Sequence, residues 1–304
     1  KQTGEVVKVP ELKELEAWEL VNKGASLNNL GKSAEAIACH DRALEINPRF
    51  ADAWYNKGNA LESLGKYQEA IACYDRALEI NPRDASAWLN KGVALKSLGK
   101  SQEAIACYDR AIEINPSDAD AWNNKGVALR NLGKPQEAIA CFNRVIEINP
   151  RYAKAWYGKG VALGSLGKPQ EAIACYDRAL EINPIDTGAC HNKGGALLKL
   201  GKYQEEIACY DSALKINPRN AITWSDKGIA LGRLGKYQEA LFCYDKALEI
   251  NPIAGIQYGK AFMEDILNKT QEAIISYKHF LRLASERHAT LIARARKRLE
   301  ELSK

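Results

Sequence analysis

An all-α solenoid of stacked helix hairpins is the fold class this chain predicts, and three observations predict it. The dipeptide Asn-Pro recurs at Asn47–Pro48, Asn81–Pro82, Asn115–Pro116, Asn149–Pro150, Asn183–Pro184, Asn217–Pro218 and Asn251–Pro252, every step 34 residues long. Each interval carries two apolar patterns at helical spacing and none at strand spacing. A strict period of this length marks one supersecondary unit stacked on copies of itself.

The unit reads most clearly over residues 51–84. In Ala53–Leu64 the residues Ala53, Trp54, Gly58, Leu61 and Leu64 share one helical face. Gly65 follows and can take the left-handed conformation that ends a helix. In Glu69–Ile80 the residues Ala70, Ile71, Tyr74, Ala77, Leu78 and Ile80 form a second face. Asn81–Pro82 stops it, because a residue before proline is pushed out of the helical region. Gly58, Ala70 and Ala77 leave room for two backbones to approach, with Trp54 and Tyr74 filling the space beside them.

The series Trp54, Gly58, Leu61, Ala70, Tyr74, Ala77, Pro82 resembles the tetratricopeptide repeat (TPR), in tandem arrays of the prokaryotic type, over about residues 17–288. The resemblance implies a right-handed superhelical solenoid with a C-terminal capping helix. The expected division is a lead and helix start over 1–16, seven regular units over 17–254, a degenerate eighth over 255–288 and the cap over 289–304. One departure is systematic. Where the family has Leu before the Gly, this chain has Lys23, Lys57, Lys91, Lys125, Lys159, Lys193 and Lys227. Stacked like charges repel, so the Lys heads are expected to be neutralised by the Glu69 or Glu79 series along snorkelled stems.

Composition narrows the classes. The net charge of +5 is too mild to indicate nucleic-acid binding. No stretch reads as a membrane span or a signal peptide. The chain opens on Lys1 and its sole methionine is Met263, so it is expected to be a processed product or part of something longer. Seven of the eight cysteines (Cys39, Cys73, Cys107, Cys141, Cys175, Cys209, Cys243) share one repeat position. Equivalent helices stand about 8–10 Å apart, beyond the roughly 7 Å that a disulfide tolerates between Cα atoms. Unpaired apolar thiols and a reducing cytoplasm follow. No Cys-x-x-Cys spacing supports a metal, and no cofactor is expected.

Along the chain, residues 1–9 carry no pattern and a helix is expected from Pro10. The first repeat has Leu20 at the Trp position. Pro135 and Pro169 fall in a first helical turn, where proline is tolerated. The sixth repeat has Cys190 in place of Trp. Trp→Ala in a core costs about 3–5 kcal/mol, so a neighbour must fill that space or the repeat is soft. The eighth is read with Tyr258 at the Trp position, Phe262 at the Gly position and Lys269 at the turn Gly. Glu286–Leu302 reads as an amphipathic helix with Leu291, Ile292, Ala295 and Leu299 on one side.

Function is read from where the repeats differ. The second helix barely changes, whereas the first varies at its second, fifth, ninth and twelfth repeat positions, which lie on one face. In the family this face lines the concave groove. Within it the sixth position keeps one residue type: Asn22, Asn56, Asn90, Asn124, Asn192, with Gly158 and Asp226 as exceptions. An Asn amide carries a donor and an acceptor, so the row reads either as a ladder for the backbone of an extended peptide or as a structural bond to the neighbouring repeat. It looks like the asparagine ladder of some TPR superhelices, including those on O-linked N-acetylglucosamine transferases. Tyr55, Asn59, Leu89, Asn123, Tyr157 and His191 complete the candidate groove. A carboxylate clamp for acidic tails is disfavoured, since no Lys–Arg pair follows Asn56, Asn59 and Asn90. The C-terminal half of the groove is rich in glycine at Gly158, Gly164, Gly188, Gly195 and Gly232, which admits a ligand backbone or a flexible region.

The four histidines, His40, His191, His279 and His288, assemble no catalytic set, so the chain is read as no enzyme. The expected function is a protein-interaction scaffold binding an extended peptide segment. The alternative is a substrate-recruiting arm of a larger enzyme or assembly. Binding of RNA is disfavoured, because helical-repeat codes place polar readers on every unit. Self-association stays open, since one end of the array mimics an internal face.

Overall fold

The computed structural model describes residues 12–303. The lead over residues 1–9 and the helix start at Pro10 lie outside the described residues. Among the described residues there is no strand. They divide into two compact units, one ending at Pro150 and the other beginning at Arg151. The run that reads as one array in sequence thus divides at a repeat boundary.

The first unit holds four hairpins: α1 (Leu12–Asn29) with α2 (Ser33–Ile46), α3 (Ala51–Ser63) with α4 (Tyr67–Ile80), α5 (Ala85–Ser97) with α6 (Ser101–Ile114), and α7 (Ala119–Asn131) with α8 (Pro135–Ile148). The second holds α9 (Ala153–Ser165) with α10 (Pro169–Ile182), α11 (Thr187–Lys199) with α12 (Tyr203–Ile216), α13 (Ala221–Arg233) with α14 (Tyr237–Ile250), and α15 (Ala254–Ile266) with α16 (Thr270–Leu283), then α17 (Ala289–Leu302).

Local chemistry sets the boundaries. Asp84, Asp118, Asp186 and Asn220 cap α5, α7, α11 and α13, their side chains accepting backbone N–H groups of the first turn. Such caps each contribute about 0.5–2 kcal/mol. Seven hairpin turns place glycine in the left-handed region, Gly65 at φ 73° among them. The second helices end where Asn precedes Pro, with Asn81 at φ −127°, ψ 86°. Pro135 and Pro169 occupy the first turn of α8 and α10, as expected. Helix α4 starts at Tyr67, two residues before its apolar pattern, because its first turn is polar.

Each of the first seven hairpins closes on a glycine–aromatic contact. A Cβ at Gly58 would stand 2.6 Å from the Tyr74 ring, and one at Gly92 2.5 Å from Tyr108. Tyr74 and Tyr108 are fully buried. The tryptophans do less filling than expected. Trp54 is half-buried, and its indole N–H donates to the Pro48 carbonyl at 3.0 Å, tying helix to loop.

The Lys row finds partners other than those expected. Lys57 pairs with Asp41, Lys91 with Asp75, Lys125 with Asp109, Lys193 with Asp177 and Lys227 with Asp211, each 16 residues back on the preceding second helix, at 2.5–2.6 Å. The Glu residues are taken locally: Glu69 pairs with Lys66 and Glu79 with Arg76. The recurrent Asp, its side chain still nearly half exposed, therefore ties one hairpin to the next.

The eighth hairpin sits one residue earlier than the sequence reading. Ala261, fully buried, takes the Gly position, and Asn268 at φ 57° takes the turn. Lys260 joins the Lys row by pairing with Asp245 at 2.6 Å. Phe262 and Lys269 therefore do not replace the two glycines; a one-residue shortening after Asn251–Pro252 moves the frame. Helix α17 packs Leu291, Ile292, Ala295 and Leu299 against α15 and α16, and Arg298 clamps Asp265 through two bonds at 2.7 and 2.9 Å.

All eight thiols are free. No neighbour fills the space beside Cys190. It stays open as a pocket of about 420 Å³ while α11 remains a continuous helix.

Candidate functional site

In the first unit the variable face of α3 and α5 carries a connected polar network. The Tyr74 hydroxyl rises from the hairpin core to lie 2.8 Å from Asn59 Oδ1 and 2.9 Å from Glu62 Oε2, its single proton shared between the two acceptors. Asn90, one repeat on, donates through Nδ2 to the Tyr55 hydroxyl and to Asn59 Oδ1, both at 3.0 Å. Lys96 Nζ donates to Asn124 Oδ1 at 3.1 Å. A cavity of about 330 Å³ opens over this network, lined by Asn28, Asn59, Glu62 and Asn90 with Ser63 and Ser97 at its edge. Burial raises the Glu62 carboxyl above its usual range, against the pull of Tyr74 and Lys96. Burial likewise lowers Lys96, against Glu62.

The second unit repeats the geometry with different walls. Asn192 Nδ2 donates to the Tyr157 hydroxyl at 2.9 Å, as Asn90 does to Tyr55. The cavity here, about 280 Å³, is lined by Val161, Gly164, Asn192, Gly195 and Lys199. Lys199 Nζ reaches the Gly164 carbonyl at 3.4 Å. His191 Nε2 lies 3.6 Å from Asp226 Oδ2, whose carboxyl burial raises against the pull of His191. Rings at the fifth position lie on the hairpin tyrosines: Tyr55 on Tyr74 and Tyr157 on Tyr176 at 6.1 Å, His191 on Tyr210 at 5.9 Å. The face thus has a firm aromatic floor.

Within each unit the predicted residues fall on this face with unequal freedom. Tyr55, Asn59, Leu89 and Asn90 are half-buried together, as are Tyr157, His191 and Asn192. Asn56 and Asn124 turn back on their own helices, donating to the Asp52 and Asp120 carbonyls. Asn22 is exposed, whereas Asn123 is buried. The amide hydrogens of Asn90 go to two acceptors in the preceding repeat. Among the described residues no three His, Cys, Asp or Glu converge on a metal position, and no helix is long and apolar enough to cross a membrane.

Sequence reasoning passed over Glu206. It stands where the other regular repeats have Ala36, Ala70, Ala104, Ala138, Ala172 and Ala240. It is fully buried, and neither carboxyl oxygen has a hydrogen-bond partner among the described residues. Burial lifts its pKa to about 7, with Asp226 adding to the rise. The Glu205–Glu206 pair, in place of Glu-Ala, was the available sign.

The tetratricopeptide repeat family model matches residues 51–84, 85–118, 119–152, 153–186 and 221–252. A second TPR model matches 24–65 and a third 187–220. No curated protein sequence matches significantly. Among solved structures the chain is similar to YrrB, a TPR protein with an unusual peptide-binding site, at 27% identity over 59% of this chain and 92% of that one, TM-score 0.51. It is similar to MamA at 25% identity over 53% and 94%, TM-score 0.51. A chain of the APC/C hetero-tetramer Cut9–Hcn1 matches in fold alone, at 18% identity over 94% and 57%, TM-score 0.60.

Proposed function

The chain belongs to the tetratricopeptide repeat family, and from that premise we propose that it is a protein-interaction scaffold holding an extended segment of a partner along the variable face of its first helices. One observation carries the reading. Two of the four positions where the repeats differ most, the ninth and the twelfth, line the cavity over α3 and α5 in one unit (Asn59, Glu62) and over α9 and α11 in the other (Val161, Gly164, Gly195), beside the sixth-position Asn90 and Asn192. An extended chain advances about 3.3 Å per residue and packed helices stand about 8–10 Å apart, so about three residues of ligand span one repeat. The side-chain carbonyl of Asn90, whose amide hydrogens are already taken, is the acceptor for a ligand backbone N–H, while Glu62, Lys96 and the ring of Tyr55 supply side-chain selection. The peptide-binding site described for YrrB supports the same ligand class. The task needs no catalytic group, and no further domain enters the reading.

Selection from a peptide library followed by calorimetry tests it. The double variant Asn59→Ala, Asn90→Ala is expected to weaken the selected peptides by about tenfold or more, the worth of one or two hydrogen bonds. Glu79→Ala, on the second helix, is expected to change nothing. Equal loss in both, or none in either, contradicts the assignment.

A further inference from the structure

The open space beside Cys190 is chemically specific. In the tryptophan-bearing repeats the indole N–H donates to the carbonyl of the loop proline: Trp54 to Pro48, Trp88 to Pro82, Trp122 to Pro116 and Trp224 to Pro218, at 2.9–3.0 Å. The Lys three residues later lies over the same ring, Lys57 at 5.4 Å, Lys91 at 5.2 Å, Lys125 and Lys227 at 5.5 Å from its centre. An Asp on the preceding hairpin holds that Lys in place. In the sixth repeat the ring is missing and its surroundings are not. Lys193 is still held by Asp177 at 2.6 Å, and Pro184 still stands at the pocket wall.

Two further substitutions and one less covered thiol distinguish the same repeat. Ser212 stands where Arg76 and Arg178 lie over Trp54 and Trp156. Ile185, 69% exposed, replaces the Arg found at Arg49, Arg83, Arg151 and Arg219 in the loop next to Pro184. Cys209 is the one member of the cysteine row that is not fully covered. The result is a pocket of about 420 Å³ walled by Leu180, Pro184, Cys190, Lys193, Cys209 and Ser212, within the roughly 300–1,000 Å³ of ordinary ligand sites.

We propose that this pocket is a receptor for the indole of a tryptophan side chain borne by a partner segment, which takes the place that the chain's own Trp fills in the other repeats. The indole N–H donates to the Pro184 carbonyl and the Lys193 ammonium lies over the ring as a cation–π partner. A peptide-borne indole is the occupant because the surviving contacts are those this chain already makes to one. None of the walls belongs to the variable face of the first helices, so the pocket stands apart from the proposed groove.

The test is ligand-observed NMR or calorimetry on the intact chain with N-acetyl-tryptophanamide at millimolar concentration. Saturable binding is expected. Cys190→Trp, which fills the pocket from within, is expected to weaken it by about tenfold or more, and circular dichroism checks that the helices persist. Lys193→Ala, independent of that filling, is expected to weaken it several-fold. The N1-methylated analogue, which has no N–H to donate, is expected to bind several-fold more weakly than the parent. Absence of saturable binding, undiminished binding in both variants, or equal binding of the methylated analogue overturns the proposal. Tighter binding of free indole than of N-acetyl-tryptophanamide overturns the peptide as its source.

Discussion

The α3–α5 face of the first unit and the α9–α11 face of the second share a backbone plan and differ in what covers it. In both, an Asn reaches back one repeat to a tyrosine hydroxyl, at 3.0 Å for Asn90 and 2.9 Å for Asn192. In the first, Asn59 and Glu62 cover the hairpin tyrosine and bond its hydroxyl. In the second, Val161 and Gly164 stand at those positions, and the cavity is lined by Val161, Pro169, Tyr176, Asn192 and Lys199 with Gly164 and Gly195 between them. The hairpin is therefore specified by residues inside it and the ligand surface by residues that the hairpin does not need. One face carries charge and hydrogen-bonding groups; the other carries glycines in their place.

Glycine gives the widest break in that comparison. Gly58→Ala drives a Cβ to 2.6 Å from the buried Tyr74 ring and is expected to cost about 1–3 kcal/mol. Gly164→Ala meets only the Tyr176 hydroxyl at 3.8 Å and is expected to gain about 0.5–1 kcal/mol from helix propensity. Urea unfolding reads both; two changes of the same sign would show that the two glycines do not have separate roles.

Buried titratable groups set the units apart by pH. Glu206, in the second, has its pKa raised by burial to about 7, so the native state holds a proton that the unfolded chain gives up first. Its stabilising contribution is complete below about pH 4.5 and falls away as pH rises toward 7. His40, in the first, is fully buried with its pKa lowered by burial to about 4. Its contribution is complete above about pH 6.5 and is lost as pH falls toward 4. Glu206→Ala restores the residue of the other repeats and is expected to gain about 1–3 kcal/mol at pH 8 by removing an unpartnered buried carboxyl. Thermal unfolding from pH 4 to 8 should then keep the loss at low pH and shed the loss at high pH. An unchanged profile would contradict the placement of Glu206.

The smallest expected effect is one of selectivity. Glu62→Gln keeps the shape and the bond to Tyr74 while removing the charge, and should cut the preference for basic over neutral peptides several-fold with little change in stability. A preference that survives would assign it elsewhere.

Much of this architecture is legible in the sequence because the period is exact in length. Asn-Pro steps, turn glycines and the Gly58–Tyr74 pairing are repeated often enough to be read without a structure. What hides is long-range or singular. Lys91 meets Asp75 across two hairpins, and a Lys row invites pairing with the nearer Glu row until the helices are stacked. Asn90 spends its amide hydrogens on Tyr55 and Asn59, 35 and 31 residues away, which no local pattern reveals. The frame shift at α15 rests on a single residue, and Asn268 performs a turn that glycine performs elsewhere. Glu206 is visible as a letter, yet beside the solvated Glu205 nothing in the pattern marks it as buried.

The most direct test of the peptide-binding face is the side-chain amide ¹H–¹⁵N spectrum of the asparagines, free and with a selected peptide bound. The account predicts that Asn59, Asn90 and Asn192 shift while the loop residues Asn47, Asn81 and Asn115 stay in place. Shifts confined to the loop asparagines, with the face unmoved, would contradict it.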